Sequence, residues 1–286
     1  MILETLEIGP SEDFALLDCG DGRKLERCGP FRFVRPEPQA MWAPAGVDWS
    51  ADGIFTGGSD EEGGGRWSLS PALPDRWPIR QAGVTLWASP TPFRHLGFFP
   101  DMAPHWAALA AIAGPESPVL NLFGYTGVAS LVAARAGAEV VHVDASRKAV
   151  AMARANAALA GLEAAPIRWI VEDARRFVAR EIRRGRRYGA ILMDPPKYGR
   201  GPGGEVWSLA TDLAPLLSAC AQLLEGKGRL MIVTSYAVRL SALALGRALA
   251  EATRTLGGQV AAGEMALIET ARRRLLPTAI FARWTP

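Results

Sequence analysis

The pattern of apolar and polar positions divides the chain near residue 92. Before that point, short apolar segments alternate with turn signals such as Asp21-Gly22 and Asp52-Gly53. No long segment there has the 3.6-residue period of an amphipathic helix. Residues 1–92 are therefore predicted to form a small β-rich domain, which ends in the linker-like Pro90-Thr91-Pro92.

Beyond residue 93, short buried strands alternate with helices. Strands are predicted at 119–122, 140–143, 167–171, 188–193, 228–233, 264–268 and 279–284. Helices are predicted at 106–112, 128–136, 146–160, 209–224 and 241–256, with an Arg-rich helix after residue 173. Repeated β-α-β units predict an α/β fold for residues 93–286: a Rossmann-like, mostly parallel seven-stranded sheet with helices on both faces. The last two strands are predicted to form an antiparallel edge pair.

Charge is unevenly distributed between the two parts. Residues 1–90 carry 8 basic and 14 acidic side chains, whereas the remainder carries 24 basic and 15 acidic ones. Ten basic residues lie between Arg168 and Arg200, which predicts either a phosphate-binding face or a solvated Arg-rich helix. Five of the nine tryptophans lie in the first 92 residues, where they either stack on bases or, as we favour, form a core.

Cysteine usage and the N-terminus indicate a cytoplasmic protein. Cys19, Cys28 and Cys220 are few, odd in number and widely spaced, which argues against disulfides and a zinc site. The acidic N-terminus lacks the basic segment of a signal peptide, and charges or glycines interrupt every apolar run. We therefore expect no metal and no membrane contact, and the pattern indicates no particular oligomeric state.

Three acidic residues stand at the ends of consecutive predicted strands. Asp144 follows the second strand, 20 residues after Gly124, where a carboxylate can accept both hydroxyls of a ribose or cap the next helix. Asp173 can accept from an adenine amine or cap its own helix, and Asp194 begins the stiff corner Asp194-Pro195-Pro196. Because the carboxyl ends of parallel strands meet at one edge, we expect the three to line one crevice.

A glycine turn, Gly124-Tyr125-Thr126-Gly127, joins the first strand to its helix. Its glycines let the backbone approach a ligand closely, although a tight turn without a ligand is the alternative. A dinucleotide oxidoreductase would share the ribose acid, but the turn lacks Gly-x-Gly-x-x-Gly. No phosphate-binding Gly-x-x-x-x-Gly-Lys motif is present either.

These residues resemble class I S-adenosylmethionine-dependent methyltransferases, and more narrowly the branch that includes bacterial 23S ribosomal RNA methyltransferases. The resemblance covers about residues 93–286 and is carried by NLFGYTG, VVHVDAS, VEDARRF and, most specifically, DPPKYGR. It implies S-adenosyl-L-methionine as cofactor and ribosomal RNA as partner. The cofactor-binding residues that it implies are Asn121, Phe123, Gly124, Tyr125, Thr126, Gly127, Asp144, Ala145, Asp173, Ala174 and Asp194.

The resemblance places the methyl group and its acceptor beside the segment Asp194, Pro195, Pro196, Lys197 and Tyr198, our predicted catalytic residues. For an amine acceptor, Asp194 and the Pro195 carbonyl would hold the N–H groups and aim the nitrogen lone pair at the methyl group. In amino-methylating relatives an aromatic residue stands where this chain has Lys197. Tyr198, displaced by one position, either stacks on a base or packs under the next loop.

The acceptor atom is predicted from the placement of the cysteines. Methylation of cytosine carbon 5 needs a cysteine nucleophile, which such relatives carry in the Asp-Pro-Pro segment or after a late strand. Neither place has one here, and Cys220 lies in a predicted buried helix. We therefore expect a methyltransferase that acts on a base nitrogen of ribosomal RNA. The alternatives are a methyltransferase for a small molecule or a protein side chain, and a non-catalytic cofactor-binding module.

Overall fold

The computed structural model describes residues 1–57, 64–236 and 238–286. The strands are β1 (Ile2–Ile8), β2 (Phe14–Gly20), β3 (Arg23–Cys28), β4 (Phe31–Pro36), β5 (Gly53–Thr56), β6 (Arg66–Leu69), β7 (Trp77–Gln81), β8 (Val84–Ala88), β9 (Val119–Leu122), β10 (Val140–Asp144), β11 (Ile167–Val171), β12 (Ala190–Met193), β13 (Tyr198–Arg200), β14 (Val206–Ser208), β15 (Leu230–Tyr236), β16 (Gln259–Ile268) and β17 (Leu275–Thr285). The helices are α1 (Ala103–Ile112), α2 (Val128–Arg135), α3 (Arg147–Leu159), α4 (Ala174–Arg183), α5 (Leu209–Leu224) and α6 (Ala242–Ala252).

The described chain forms two compact units. The first comprises Met1–Thr5, Pro104–Glu264 and Ala279–Pro286, and the second comprises Leu6–Ala103 and Met265–Thr278. The second unit thus includes a late segment of the chain. The domain boundary at residues 92 and 93 stays a prediction, because a compact unit is not the same as an independently folding domain.

A large sheet has the strand order β1-β16-β17-β15-β12-β9-β10-β11. The neighbours among β9, β10, β11, β12 and β15 pair in parallel, and β17 is antiparallel to β15. Strands β9 and β12 are four-residue runs with every residue buried, as expected when both faces of a parallel strand are covered. The predicted α/β fold with a mostly parallel sheet is therefore confirmed.

The sheet has eight strands rather than the seven predicted. The additional strand is β1, whose alternating exposed and half-buried positions gave no buried-strand signal in the sequence. It lies at the edge beside β16, and Gly263 explains how closely it approaches. A Cβ atom on Gly263 would stand 1.6 Å from the Glu4 carbonyl oxygen, so only glycine fits there.

The second unit is β-rich, as predicted. Strands β2 to β6 form one sheet in sequence order, and β7 pairs with β8. Asp21 and Gly22 both have positive φ in the tight turn between β2 and β3, which confirms that turn signal. Trp77 stacks on the buried Phe33 ring with centroids 5.5 Å apart, so this tryptophan is part of the core.

Candidate functional site

The ends of β12, β9 and β10 lie level with one another. Met193 pairs with Leu122, and Leu122 pairs with Val143, so the next residues along the chain stand in one row at the carboxyl edge of the sheet. Two of those next residues are Asp194 and Asp144. Neighbouring strands are about 4.8 Å apart, so the two acids stand roughly 10 Å apart with the glycine turn between them.

The glycine turn has an unusual backbone. Phe123, Tyr125 and Gly127 have φ values of 55°, 47° and 87°, in the left-handed region that residues other than glycine seldom adopt. Gly127 also occupies the N-cap of α2 without a capping side chain. Strained conformations of this kind persist where the surroundings enforce them and are concentrated at ligand sites.

Asp144 holds the glycine turn to the next loop. Its Oδ2 accepts from the Tyr125 backbone N–H at 2.9 Å, and its Oδ1 accepts from the Ser146 N–H at 2.7 Å. Ser146 itself caps α3 by accepting from the Ala149 N–H. Burial raises the pKa of Asp144, and the two N–H donors oppose that rise. Because each carboxylate oxygen has a second lone pair, Asp144 can orient the turn and still accept hydroxyl groups.

A buried polar network supports the turn from below. Asn121 Nδ2 donates to Ser130 Oγ at 2.9 Å, and Ser130 Oγ lies 3.0 Å from Nδ1 of His142. Burial lowers the pKa of His142 to about 3, so its ring is neutral. A Cβ atom on Gly124 would lie 2.5 Å from the His142 ring, so the imidazole occupies the space that any side chain here would need. The structure thus places Asn121 beneath the turn, and sequence reasoning missed Ser130 and His142.

Asp173 is the N-cap of α4. Its carboxylate accepts from the backbone N–H groups of Arg175 and Arg176 and from the Arg175 guanidinium, through Nε at 3.3 Å and Nη2 at 3.1 Å. Asp173 therefore caps its own helix, which is one of the two predicted alternatives. Its two carboxylate oxygens accept from four donors. Ala174 is buried at the first position of α4. The adenine contact of both residues stays a prediction.

The Asp194-Pro195-Pro196 corner is fixed by two hydrogen bonds. Thr234 on β15 donates its hydroxyl to Asp194 Oδ1 at 2.6 Å. The Trp207 indole N–H donates to the Pro196 carbonyl at 2.6 Å. Pro195 is buried and Pro196 is exposed, so the corner turns from the core to the surface within two residues.

Beyond the corner, β13 and β14 form a short antiparallel hairpin that was not predicted. Tyr198 begins its first strand and is 67% exposed, so the alternative that it packs under a loop is wrong. The Lys197 ammonium lies 5.7 Å from the centroid of the Tyr198 ring, within the range of a cation–π contact. A flat group could thus stack on the exposed ring.

A cavity of about 320 Å³ opens beside this hairpin. Lys197 and Tyr198 contribute to its wall, together with apolar side chains from the beginning of α5 and from α6. The exposed Arg239 also belongs to the wall. The cavity therefore combines apolar walls with two cationic side chains, which suits a planar ring attached to an anionic group.

The Arg-rich segment 175–187 is extensively paired with acidic residues. Arg176 pairs with Glu205, Arg180 with Glu172, Arg184 with Glu181 and Arg187 with Glu225, and Arg175 contacts both Asp173 and Asp212. The acids at 205, 212 and 225 come from outside the basic segment. Much of its charge is therefore balanced locally, and this helix presents less positive charge than its composition suggests.

Two other kinds of site are absent from the described residues. Within residues 1–57, 64–236 and 238–286, no group of three or more His, Cys, Asp or Glu side chains could hold a metal ion. Across the same described ranges, no helix has both the length and the apolar character to cross a membrane.

Comparison with known proteins gives the site a context. Residues 105–207 match the family described as Conserved hypothetical protein 95. The crystal structure of a SAM-dependent methyltransferase from Agrobacterium tumefaciens matches with a TM-score of 0.94 and 47% identity, over 100% of this chain and 94% of that one. A Streptococcus mutans structure matches with a TM-score of 0.72 over 94% of this chain and 74% of that one. Its 17% identity supports the fold alone.

A curated relative matches more locally. The ribosomal RNA large subunit methyltransferase I of Aeromonas salmonicida is 32% identical over 143 residues, which are 50% of this chain. The match covers 33% of that relative, so the chain spans about a third of its length. The sequence similarity therefore covers only one part of that relative.

Proposed function

Since the chain belongs to the S-adenosylmethionine-dependent methyltransferases, we propose that it transfers the methyl group to a base nitrogen of ribosomal RNA. The cofactor is S-adenosyl-L-methionine, which supplies an electrophilic methyl group when bound. The chain's own residues bind it and align the acceptor.

The glycine turn and the strand-end acids fit this cofactor. We assign the ribose hydroxyls to Asp144, whose oxygens keep acceptor capacity after the two backbone bonds. Gly124 and Gly127 let the turn pack closely on His142 and Ala153, and the backbone of this turn would meet the methionine part. Asp173 with Ala174 would meet the adenine. The remaining residues assigned to the cofactor are Phe123, Tyr125, Thr126, Ala145 and Asp194, and Asn121 would act on it through the turn that it supports.

The observation that carries the proposed reaction is the fixed position of Asp194. The Thr234 hydroxyl holds Oδ1 at 2.6 Å, at the carboxyl end of β12 and level with the glycine turn. An amine whose two N–H groups bonded to this carboxylate and to the Pro195 carbonyl would have its nitrogen lone pair directed away from both. Alignment of this kind accelerates a displacement without any change in the reacting groups.

The surroundings of the corner favour a base as acceptor. The exposed Tyr198 ring offers a stacking surface, and base–aromatic stacking contributes about 1–3 kcal/mol. Lys197 and Arg239 border the same cavity and would attract flanking phosphates. The similarity to the Aeromonas ribosomal RNA methyltransferase supports ribosomal RNA in particular.

The cysteines support nitrogen over carbon 5. Cys19, Cys28 and Cys220 are all free and buried, and burial raises the pKa of each thiol. A thiol of raised pKa is a poor nucleophile at neutral pH. Free, buried thiols also suit a reducing compartment, so we propose a cytoplasmic location.

The test is mass spectrometry of digested ribosomal RNA from a deletion strain. We expect one N-methylated nucleoside to disappear and to return with the wild-type gene but not with Asp194→Asn. The Asp194→Asn variant should still bind S-adenosylhomocysteine by calorimetry, within about tenfold of wild type, because asparagine keeps the shape of the side chain and the glycine turn and Asp144 are unchanged. Thr234→Ser keeps the hydroxyl and should restore methylation, whereas Thr234→Val should lower it about tenfold, or 1.4 kcal/mol. Loss of 5-methylcytosine instead would contradict the assignment to nitrogen.

A small-molecule acceptor is the second candidate, favoured by the cavity volume of about 320 Å³. Pockets of 300–1,000 Å³ are typical of small-molecule sites. Salt dependence separates the two: RNA affinity should fall steeply between 50 and 200 mM salt, and affinity for a small uncharged acceptor should not.

A further inference from the structure

Arg175 joins the predicted adenine site to the hairpin formed by β13 and β14. Its Nη2 donates to Asp173 Oδ2 at 3.1 Å and to the Val206 carbonyl at 2.9 Å. Its Nη1 lies 3.0 Å from Asp212 Oδ2. One planar guanidinium therefore bonds to three acceptors from three segments, a geometry that a lysine ammonium does not reproduce.

The second strand of the hairpin is fixed on its other sides as well. Trp207 is buried, donates to the Pro196 carbonyl at 2.6 Å and packs against Phe123 with ring centroids 5.0 Å apart. The Ser208 N–H donates to Asp212, the acid that Arg175 also contacts. Arg175 and Trp207 thus hold one side of the hairpin against both the glycine turn and α4.

The hairpin depends on these contacts for its order. Each strand has three residues, and an isolated two-stranded hairpin is only marginally stable in water. Its first strand carries exposed side chains at Tyr198 and Arg200. Burial of Trp207 and the bonds to Arg175, together with the ion pair between Arg176 and Glu205, accordingly keep the exposed strand in position beside the cavity.

We propose that Arg175 is a positioning residue that couples occupancy of the cofactor site to the order of the 198–208 hairpin. A ligand that fixes the Asp173 carboxylate reduces the freedom of the guanidinium bonded to it, and the hairpin then opens less often. Such coupling needs no change in average structure, because the two sites share one element that must be ordered. The inference rests on the proposed adenine contact of Asp173.

Hydrogen–deuterium exchange with S-adenosylhomocysteine as the probe tests this coupling without any RNA. In the wild-type protein, saturating probe should slow exchange of the amides of residues 198–208 about fivefold or more, the lower end of ordinary coupling. In Arg175→Gln the probe should still bind, but this slowing should disappear. Arg175→Lys should behave as Arg175→Gln, since charge alone does not restore three directed bonds.

Arg180→Gln is the matched control, because Arg180 lies on the same helix and pairs with Glu172. It should keep the wild-type response of the hairpin to the probe. The coupling would be overturned if the probe did not slow amide exchange in the wild-type hairpin, or if it slowed that exchange equally in Arg175→Gln. A protein that shows the coupling but methylates no RNA would instead refute only the proposed acceptor.

Discussion

Replacing Gly124 by alanine tests whether the glycine turn depends on its buried support. The added Cβ would stand 2.5 Å from Cε1 and 2.6 Å from Nδ1 of His142, and 3.0 Å from Asn121 Nδ2. His142 is fully buried and packs against Trp169 with ring centroids 4.9 Å apart, so it has little room to move. The substitution must displace either this ring or the turn.

The expected cost follows from those contacts. Overpacking of a filled core costs about 1–3 kcal/mol. Loss of the hydrogen bond between His142 and Ser130 adds about 1 kcal/mol. The melting temperature should fall by roughly 5–10 °C, and the Kd for S-adenosylhomocysteine should rise about tenfold as the turn moves. Differential scanning fluorimetry and calorimetry measure the two effects.

Gly114→Ala is the control, because a Cβ there meets no heavy atom within 4 Å and the backbone is not left-handed. It should change stability by less than about 0.5 kcal/mol. The double variant Gly124→Ala with His142→Ala removes the contact, so its cost should be at least about 1 kcal/mol below the sum of the single costs. Strictly additive costs, or a Gly124→Ala protein as stable as wild type, would refute the reasoning.

Two further predictions concern buried titratable groups. Burial lowers the pKa of His105 and of His142 to about 3, so between about pH 6.5 and 3 the unfolded chain binds protons that the folded chain does not. Stability present above pH 6.5 should therefore be lost on acidification by about 1.4 kcal/mol per pH unit for each ring. Urea melts of His142→Gln should have a shallower acid slope than wild type, and an unchanged slope would contradict burial of a neutral ring. Ellman's reagent should titrate none of the three thiols in the native protein and all three in guanidinium, and rapid native labelling would show that burial does not protect them.

The sequence predicted the sheet because its parallel strands are buried on both faces. Runs such as Val119–Leu122 and Ala190–Met193 are too short and too apolar for a helix in that setting. Once those strands are parallel and in register, their carboxyl ends meet, and the placement of Asp144 and Asp194 follows. Local sequence therefore predicts the row of acids.

The features missed in the sequence all depend on distant partners. The charge of the 175–187 segment is balanced partly by acids at positions 205, 212 and 225, which a local charge count excludes. Trp207 follows a glycine-rich segment with no strand signal, and its role depends on the Pro196 carbonyl and the Phe123 ring. Strand β1 is mostly exposed or half-buried, and its close approach to the sheet depends on Gly263, some 260 residues away.

The sequence left two alternatives for each strand-end acid, helix capping and ligand binding. The two are compatible, because a carboxylate has about four acceptor positions. Asp144 uses two of them for backbone N–H groups, so its oxygens are oriented and can still accept hydroxyls. Asp173 already accepts from four donors, two of them on the Arg175 side chain. Three of these donors bond to Oδ1 and only Arg175 Nη2 bonds to Oδ2, so Oδ2 keeps an acceptor position for an adenine amine beside Arg175. Adenine bound at Oδ2 would therefore hold the same oxygen that bonds to Arg175, the arginine that contacts the hairpin.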